Sequence, residues 1–144
     1  MTAVDQEQTE AMRQLVPFAA ALGIEVIASR PDEVRARVEW RPERCTTGGV
    51  LHGGVIMSLA DTTGATCAFQ NLPEGAAGTT TIESKTNFLR AVRDGYADAV
   101  SRPLHAGRTV VVVETDVTDA DGRPVAKVLQ TQAVLRSVDD PDPP

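Results

Sequence analysis

The chain alternates between two hydrophobic periods. Met12, Leu15, Val16, Ala19 and Leu22 recur at helical spacing and predict a helix over residues 8–22. Gly23 supplies its stop, and Pro17 falls inside the pattern, where it divides or kinks the helix. Residues 24–29 and 33–40 predict two strands. In the second, Val34, Ala36, Val38 and Trp40 alternate with Arg35, Arg37 and Glu39, as in a sheet with one wet face. Residues 41–50, with Pro42, Thr46, Thr47, Gly48 and Gly49, read as a loop. A long helix is predicted over 51–69, then a loop over 71–78. Strands follow at 79–89, 96–102, 109–118 and 124–136, with Asp121-Gly122 as a hairpin signal between the last two.

That order predicts an α+β fold: an antiparallel β-sheet wrapped around one long central helix. The chain has 144 residues and neither a repeat nor a linker, so a single domain is expected, with a core over about 15–136. The acidic, proline-rich tail from Ser137 is expected to stay unordered.

Composition narrows the function classes. Hydrophobic residues make up 42% and aromatics 3%, so the core must be built from Val, Leu, Ile and Ala. The net charge of −6 argues against a general nucleic-acid-binding surface. Cys45 and Cys67 form no CxxC pair, so no metal or redox cofactor is implied. The first residues carry acids and no apolar leader core, and no apolar run reaches the roughly 18 residues of a membrane helix. A cytoplasmic protein that engages neither membrane nor nucleic acid is the expectation.

The chemistry concentrates in one stretch. Between Arg44 and Glu74 the single formally charged residue is Asp61, in the middle of an apolar, small-residue helix. A carboxylate buried there would need compensation or would do work. Gly64 within the same helix indicates close packing. His52-Gly53-Gly54 stands at the helix start, where first-turn N–H groups lack intrahelical partners and the dipole is positive. Glycines there let a ligand oxygen approach the backbone, a suitable place to polarise a carbonyl. Gly53 and Asp61 are eight residues apart, about 12 Å along a helix. One carbonyl cannot touch both, so joint action would require Asp61 from a second copy, in a homodimer with sites at the interface.

The run Gly49-Val50-Leu51-His52-Gly53-Gly54 that closes on Asp61 resembles the hotdog-fold acyl-CoA thioesterases. The likeness is to the phenylacetate-degradation type and its hydroxybenzoyl-CoA and dihydroxynaphthoyl-CoA relatives. Asn87-Phe88-Leu89-Arg90 resembles that family's substrate-side strand, and Pro103-Leu104-His105-Ala106-Gly107-Arg108 its turn near the coenzyme A entrance. The resemblance implies hydrolysis of an aryl- or fatty acyl-CoA to the free acid and CoA, with CoA as part of the substrate. It implies that the Gly53 N–H binds the thioester oxygen, and that Asp61 attacks the carbonyl or activates water. His52 and Thr46 would complete the catalytic group. Gly54, Asn87, Phe88, Leu89, Arg90, His105, Gly107 and Arg108 would contact substrate or CoA. The family also implies a tetramer built from two dimers. Three positions depart from its pattern: Thr46 replaces Asn or Gln, Phe88 replaces the His of the dihydroxynaphthoyl-CoA type, and Ala65 replaces a Ser or Thr.

The basic residues support a phosphate-bearing ligand. Residues 85–108 hold five cations (Lys85, Arg90, Arg93, Arg102, Arg108) against two acids. Other readings stay open. The same fold could carry an acyl-thioester dehydratase or hydratase, or a non-catalytic acyl-CoA-binding module. Asp61 could be a surface residue, His52 a structural cap, and Cys45 with His52 a nucleophile pair. Leu51, Met57, Phe69 and Phe88 are candidates to shape the pocket.

Overall fold

The computed structural model describes residues 2–139. The N-terminal helical pattern is split at Pro17, as the sequence predicts. Helix α1 spans Gln6–Leu15, capped by Asp5, whose side chain accepts from the Gln8 N–H at 3.0 Å. Helix α2 spans Pro17–Leu22, with Pro17 in its first turn and Gly23 as its cap. Strands β1 (Glu25–Arg30) and β2 (Glu33–Glu39) form a hairpin.

The predicted loop over 41–50 is more ordered than its composition suggested. Pro42–Arg44 form a 3-10 turn, and β3 (Cys45–Thr46) pairs with β4 (Val50–Leu51) in a short ribbon. Gly48 and Gly49 at its tip both take positive φ, 83° and 70°, which residues with a Cβ rarely adopt. Two long side chains pin the tip. Trp40 Nε1 donates to the Gly49 carbonyl at 3.0 Å, and Arg93 Nη1 to the Gly48 carbonyl at 3.3 Å. Leu51 therefore lies in a strand. The long helix, α3, starts later than predicted and spans Gly53–Gln70.

The remaining strands are β5 (Ala76–Phe88), β6 (Tyr96–Ala106), β7 (Val110–Asp119) and β8 (Pro124–Arg136). Cross-strand pairing extends β5 and β6 beyond the patterned residues. Six strands form one antiparallel sheet in the order β1-β2-β6-β7-β8-β5. Helix α3 lies against one face. Its Ile56, Leu59, Ala60, Cys67 and Ala68 pack on small aliphatic side chains such as Val34, Ala36, Ala99, Val111 and Val113. This is the aromatic-poor core expected from composition. Burial pushes the Cys67 thiol up to about 11. The opposite sheet face carries cross-strand ion pairs, among them Arg102–Glu33 and Lys127–Glu114, both at 2.8 Å. Ser137–Asp139 lie in no helix or strand, and residues 140–144 of the predicted tail lie outside the described residues.

The Asp121-Gly122 hairpin is locked by Asp119. Its Oδ1 accepts from the N–H groups of Asp121 and Arg123, at 3.0 and 2.9 Å, and its Oδ2 from Arg123 Nε at 2.8 Å. Burial opposes the charge, but these donors outweigh it and hold the carboxyl below its ordinary range. A depressed folded-state value contributes stability above the unfolded value of about 3.9, and that contribution is lost as pH falls through the folded value. Asp119→Asn is therefore expected to lower the urea midpoint at pH 7, with the gap to wild type closing below about pH 4. Urea titrations at pH 7 and pH 3 check it.

β5 is an edge. Its inner side pairs with β8 over its full length, and its outer side has no partner among the described residues. Thirteen residues of open edge are a template for another strand.

Candidate functional site

His52 is the N-cap of α3. Its Nδ1 accepts from the Gly54 N–H at 2.8 Å, and its carbonyl accepts from the N–H groups of Val55 and Ile56 at 2.9 and 3.3 Å. The structural reading of His52 is thus realised, and its Nδ1 is committed to the cap. His52 Nδ1 lies 2.9 Å from where a Gly54 Cβ would be, so any side chain there would push the imidazole off the cap. One first-turn donor is left over: among the described residues the Gly53 N–H has no hydrogen-bond partner. It sits at the positive end of the helix dipole. Phe88 lies above it, its ring 3.1 Å from the place of a Gly53 Cβ.

Two turns further along, Asp61 departs from expectation. It is exposed in the single chain, not buried. It is nonetheless held. Thr81 Oγ1 donates to Asp61 Oδ1 at 3.0 Å, and Gln130 Nε2 donates to the same oxygen. Oδ2 has no partner among the described residues, so the carboxylate is anchored through one oxygen and presents the other. Behind it, Gln132 Nε2 donates to Thr81 Oγ1 at 2.7 Å, and Thr79 Oγ1 donates to Gln132 Oε1 at 3.1 Å. Gln130 and Gln132 are fully buried.

Reading for chemistry along the helix missed this support. A signal was present: both glutamines occupy inward positions of β8, alternating with Lys127, Leu129 and Thr131, where the pattern calls for aliphatic residues. Gly64 completes the arrangement. A Cβ there would run into Gln130 Oε1, an atom that is buried without a hydrogen-bond partner. Gly64→Ala is expected to push Gln130 off Asp61. It should lower kcat about tenfold, destabilise the fold by about 1–3 kcal/mol and leave KM little changed. Gln130→Ala should reproduce the kcat loss, which steady-state kinetics on both variants would show.

The other predicted residues divide between the two ends of the sheet. Phe88 pairs with Ala126, whereas Val110, just past Arg108, pairs with Ala133. Seven residues of β8 separate those positions, about 23 Å. Asn87, Phe88, Leu89 and Arg90 thus lie at the Gly53 end, all exposed, and His105, Gly107 and Arg108 at the other. His105 folds over Gly107, its Nε2 2.6 Å from the place of a Gly107 Cβ. Within one chain these groups form no single patch.

The basic segment is likewise not one patch. Arg102 is engaged with Glu33 on the face away from α3. Arg90 and Arg93 border a cavity of about 370 Å³ with Arg123, Asp94 and Asp121, while Arg108 and Arg136 border one of about 290 Å³ at the far end. Thr46 is exposed on the β3–β4 ribbon, and its hydroxyl has no partner among the described residues. The Cys45–His52 pair is not made: Cys45 Sγ lies 3.3 Å from the Arg41 carbonyl. Of the pocket candidates, Phe69 lines a cavity beside Asp61, Leu51 is buried, and Met57 is exposed on α3.

Residues 48–126 match the family model described as the Thioesterase superfamily. Among solved structures, the thioesterase HI1161 of Haemophilus influenzae superposes with a TM-score of 0.84 at 28% identity, covering 96% of this chain and 98% of that one. A hypothetical thioesterase of Streptococcus pneumoniae, solved with coenzyme A, gives 0.76 at 25% identity over 88% and 99% of the two chains. The PaaI protein of the Escherichia coli phenylacetic acid degradation operon gives 0.80 at 22% identity over 90% and 92%, a likeness of fold.

Proposed function

Since the chain belongs to the thioesterase superfamily, and is a thioester hydrolase on the hotdog fold, we propose that it hydrolyses acyl-CoA thioesters at a site shared by two copies. One observation carries this reading. The unpartnered Gly53 N–H and the open Oδ2 of Asp61 are the two halves of a hydrolytic site, yet they stand about 12 Å apart on one rigid helix. A second copy brings them together.

Two features favour that copy. Helix α3 is mostly apolar and leaves Met57 and Phe69 exposed, at 42% and 62%. The open edge of β5 lies on the side of Thr81 and Phe88. Pairing two β5 edges antiparallel about a twofold axis would extend the sheet and set the Phe88 end of one copy beside the Arg108 end of the other. The two predicted CoA segments, separated within one chain, would then converge. Coenzyme A in the pneumococcal neighbour supports CoA as the carrier.

In this reading the Gly53 N–H and the dipole of α3 stabilise the oxyanion that develops on the thioester oxygen. The partner copy's carboxylate, aimed by Gln130 and Thr81, takes a proton from water as water adds to the carbonyl carbon. The C–S bond then breaks, and the proton goes to the departing thiolate. Direct attack by Oδ2 would instead break the C–S bond and release the thiolate, which takes a proton from solvent, leaving a mixed anhydride that water opens to the acid and the free Asp61 carboxylate. His52 acts as the cap that leaves Gly53 free, and Arg90 with the other copy's Arg108 as the cations nearest the CoA phosphates.

Mixing two inactive variants tests the shared site. Asp61→Asn keeps an intact Gly53, and Gly53→Pro keeps an intact Asp61. After unfolding and refolding together, half the dimers should be mixed and each should own one good site, restoring about a quarter of wild-type thiol release. A mixture no more active than its components would place both groups in one chain's site and sink the proposal.

A further inference from the structure

A cavity of about 480 Å³ opens at Asp61 and runs between α1 and α3. Its wall is aliphatic and long: Ala65 and Phe69 follow Asp61 on α3, and Met12, Leu15 and Val16 face them from α1 and its end. Leu15 and Phe69 are 82% and 62% exposed, a large apolar surface that no other described residue covers. The polar side chains of the wall are few: Gln8 and Thr62 at its rim, and Thr66, Thr79 and Ser29, which are already hydrogen-bonded. Thr66 donates to the Thr62 carbonyl at 2.8 Å, the Thr79 hydroxyl shares its proton between Gln132 Oε1 at 3.1 Å and the Ala133 carbonyl at 2.9 Å, and Ser29 accepts from Gln70. The cavity therefore asks for an apolar occupant, and its one charged wall residue is the carboxylate.

We propose that this cavity is the acyl subsite and that it takes an unbranched aliphatic chain of medium length. The proposal rests on the hydrolase reading with a shared site. It adds an asymmetry: the tail lies in the copy that supplies Asp61, and the copy that supplies Gly53 holds the thioester oxygen. Length favours an alkyl chain over a ring. From Asp61 to Phe69 is eight residues, about 12 Å along α3, the reach of an octanoyl or decanoyl tail. A benzoyl or phenylacetyl group would fill only the end beside Asp61. Ala65, one turn after Asp61, keeps the entrance open; a larger side chain there would close it. Each methylene buried is expected to raise affinity about three- to fourfold.

The test compares acetyl-, butanoyl-, octanoyl-, decanoyl-, benzoyl- and phenylacetyl-CoA with wild type, Ala65→Phe and Ala11→Trp. Ala11 lies on the exposed surface of α1 beside the cavity, so its variant guards against misfolding at the helix core. The readout is the ratio of kcat/KM for decanoyl- over acetyl-CoA. Wild type should give at least about 10², and both variants should bring the ratio toward one. An unchanged ratio in both variants, or an aryl substrate preferred by wild type, overturns the proposal. If wild type cleaves nothing, the hydrolase reading fails by itself, and the subsite is judged by the S-decyl-CoA thioether. Tighter binding of the thioether than of CoA, lost in the variants, supports it; equal binding overturns it. Sedimentation of each variant closes the remaining route, since variants that fall to monomers and lose every substrate alike would make the cavity an interface between copies.

Discussion

Asp61→Asn is expected to lower kcat for thioester hydrolysis by about 10²–10⁴-fold, with coenzyme A affinity largely retained. The substitution is nearly isosteric, and an Asn Oδ1 still accepts the bonds from Thr81 Oγ1 and Gln130 Nε2 that hold the carboxylate. What disappears is the basicity of the second oxygen. Asp61 is exposed in the chain, so replacing it should cost the fold no more than about 0.5 kcal/mol. Thiol release and CoA titration on the same preparation separate the two effects. Activity near wild type would remove Asp61 from the chemistry and return it to the reading of a surface residue.

Gly53→Pro is expected to cost about 10²–10³-fold in kcat, the scale of losing one oxyanion donor, in a protein that still folds. Proline is favoured at the first position of a helix, where its missing N–H would have had no intrahelical partner. His52 already has ψ 134°, the extended value that a following proline prefers. The ring would meet Phe88, which is half exposed and free to swing aside. Gly53→Ala is the matched control: its Cβ crowds Phe88 in the same place, but its N–H remains. A large loss for Pro and a small one for Ala assigns the effect to the N–H. Equal losses would assign it to crowding and end the oxyanion role of Gly53.

Local rules reached far along this chain. Pro17 and Gly23 bound helices because one has no N–H to give and the other lies at φ 69°. Asp121-Gly122 turns the β7–β8 hairpin, and β8 spans the residues its alternation marks, Pro124–Arg136. The Gly49–Asp61 run disclosed the free donor and the carboxylate and placed the helix start within two residues, because capping and helical rise are properties of neighbouring residues. Where local rules stopped, pairing partners took over. The β3–β4 ribbon hides in a glycine-rich stretch because two-residue strands carry no period and are held by Trp40 and Arg93 from elsewhere.

The sequence by itself determined the order of the long elements and the aliphatic core, and it singled out Gly53 and Asp61 as the candidate groups. It also determined that one helix keeps them too far apart to meet. Tertiary structure alone decided what holds Asp61. Thr81 and Gln130 lie 20 and 69 residues away along the chain, and only the β5–β8 register brings them to one carboxylate oxygen. It alone decided that the basic segment is scattered, since a strand sends successive side chains to opposite faces and its ends to opposite edges. And it alone opened the cavity between α1 and α3, because the space beside a helix depends on what the rest of the chain leaves uncovered.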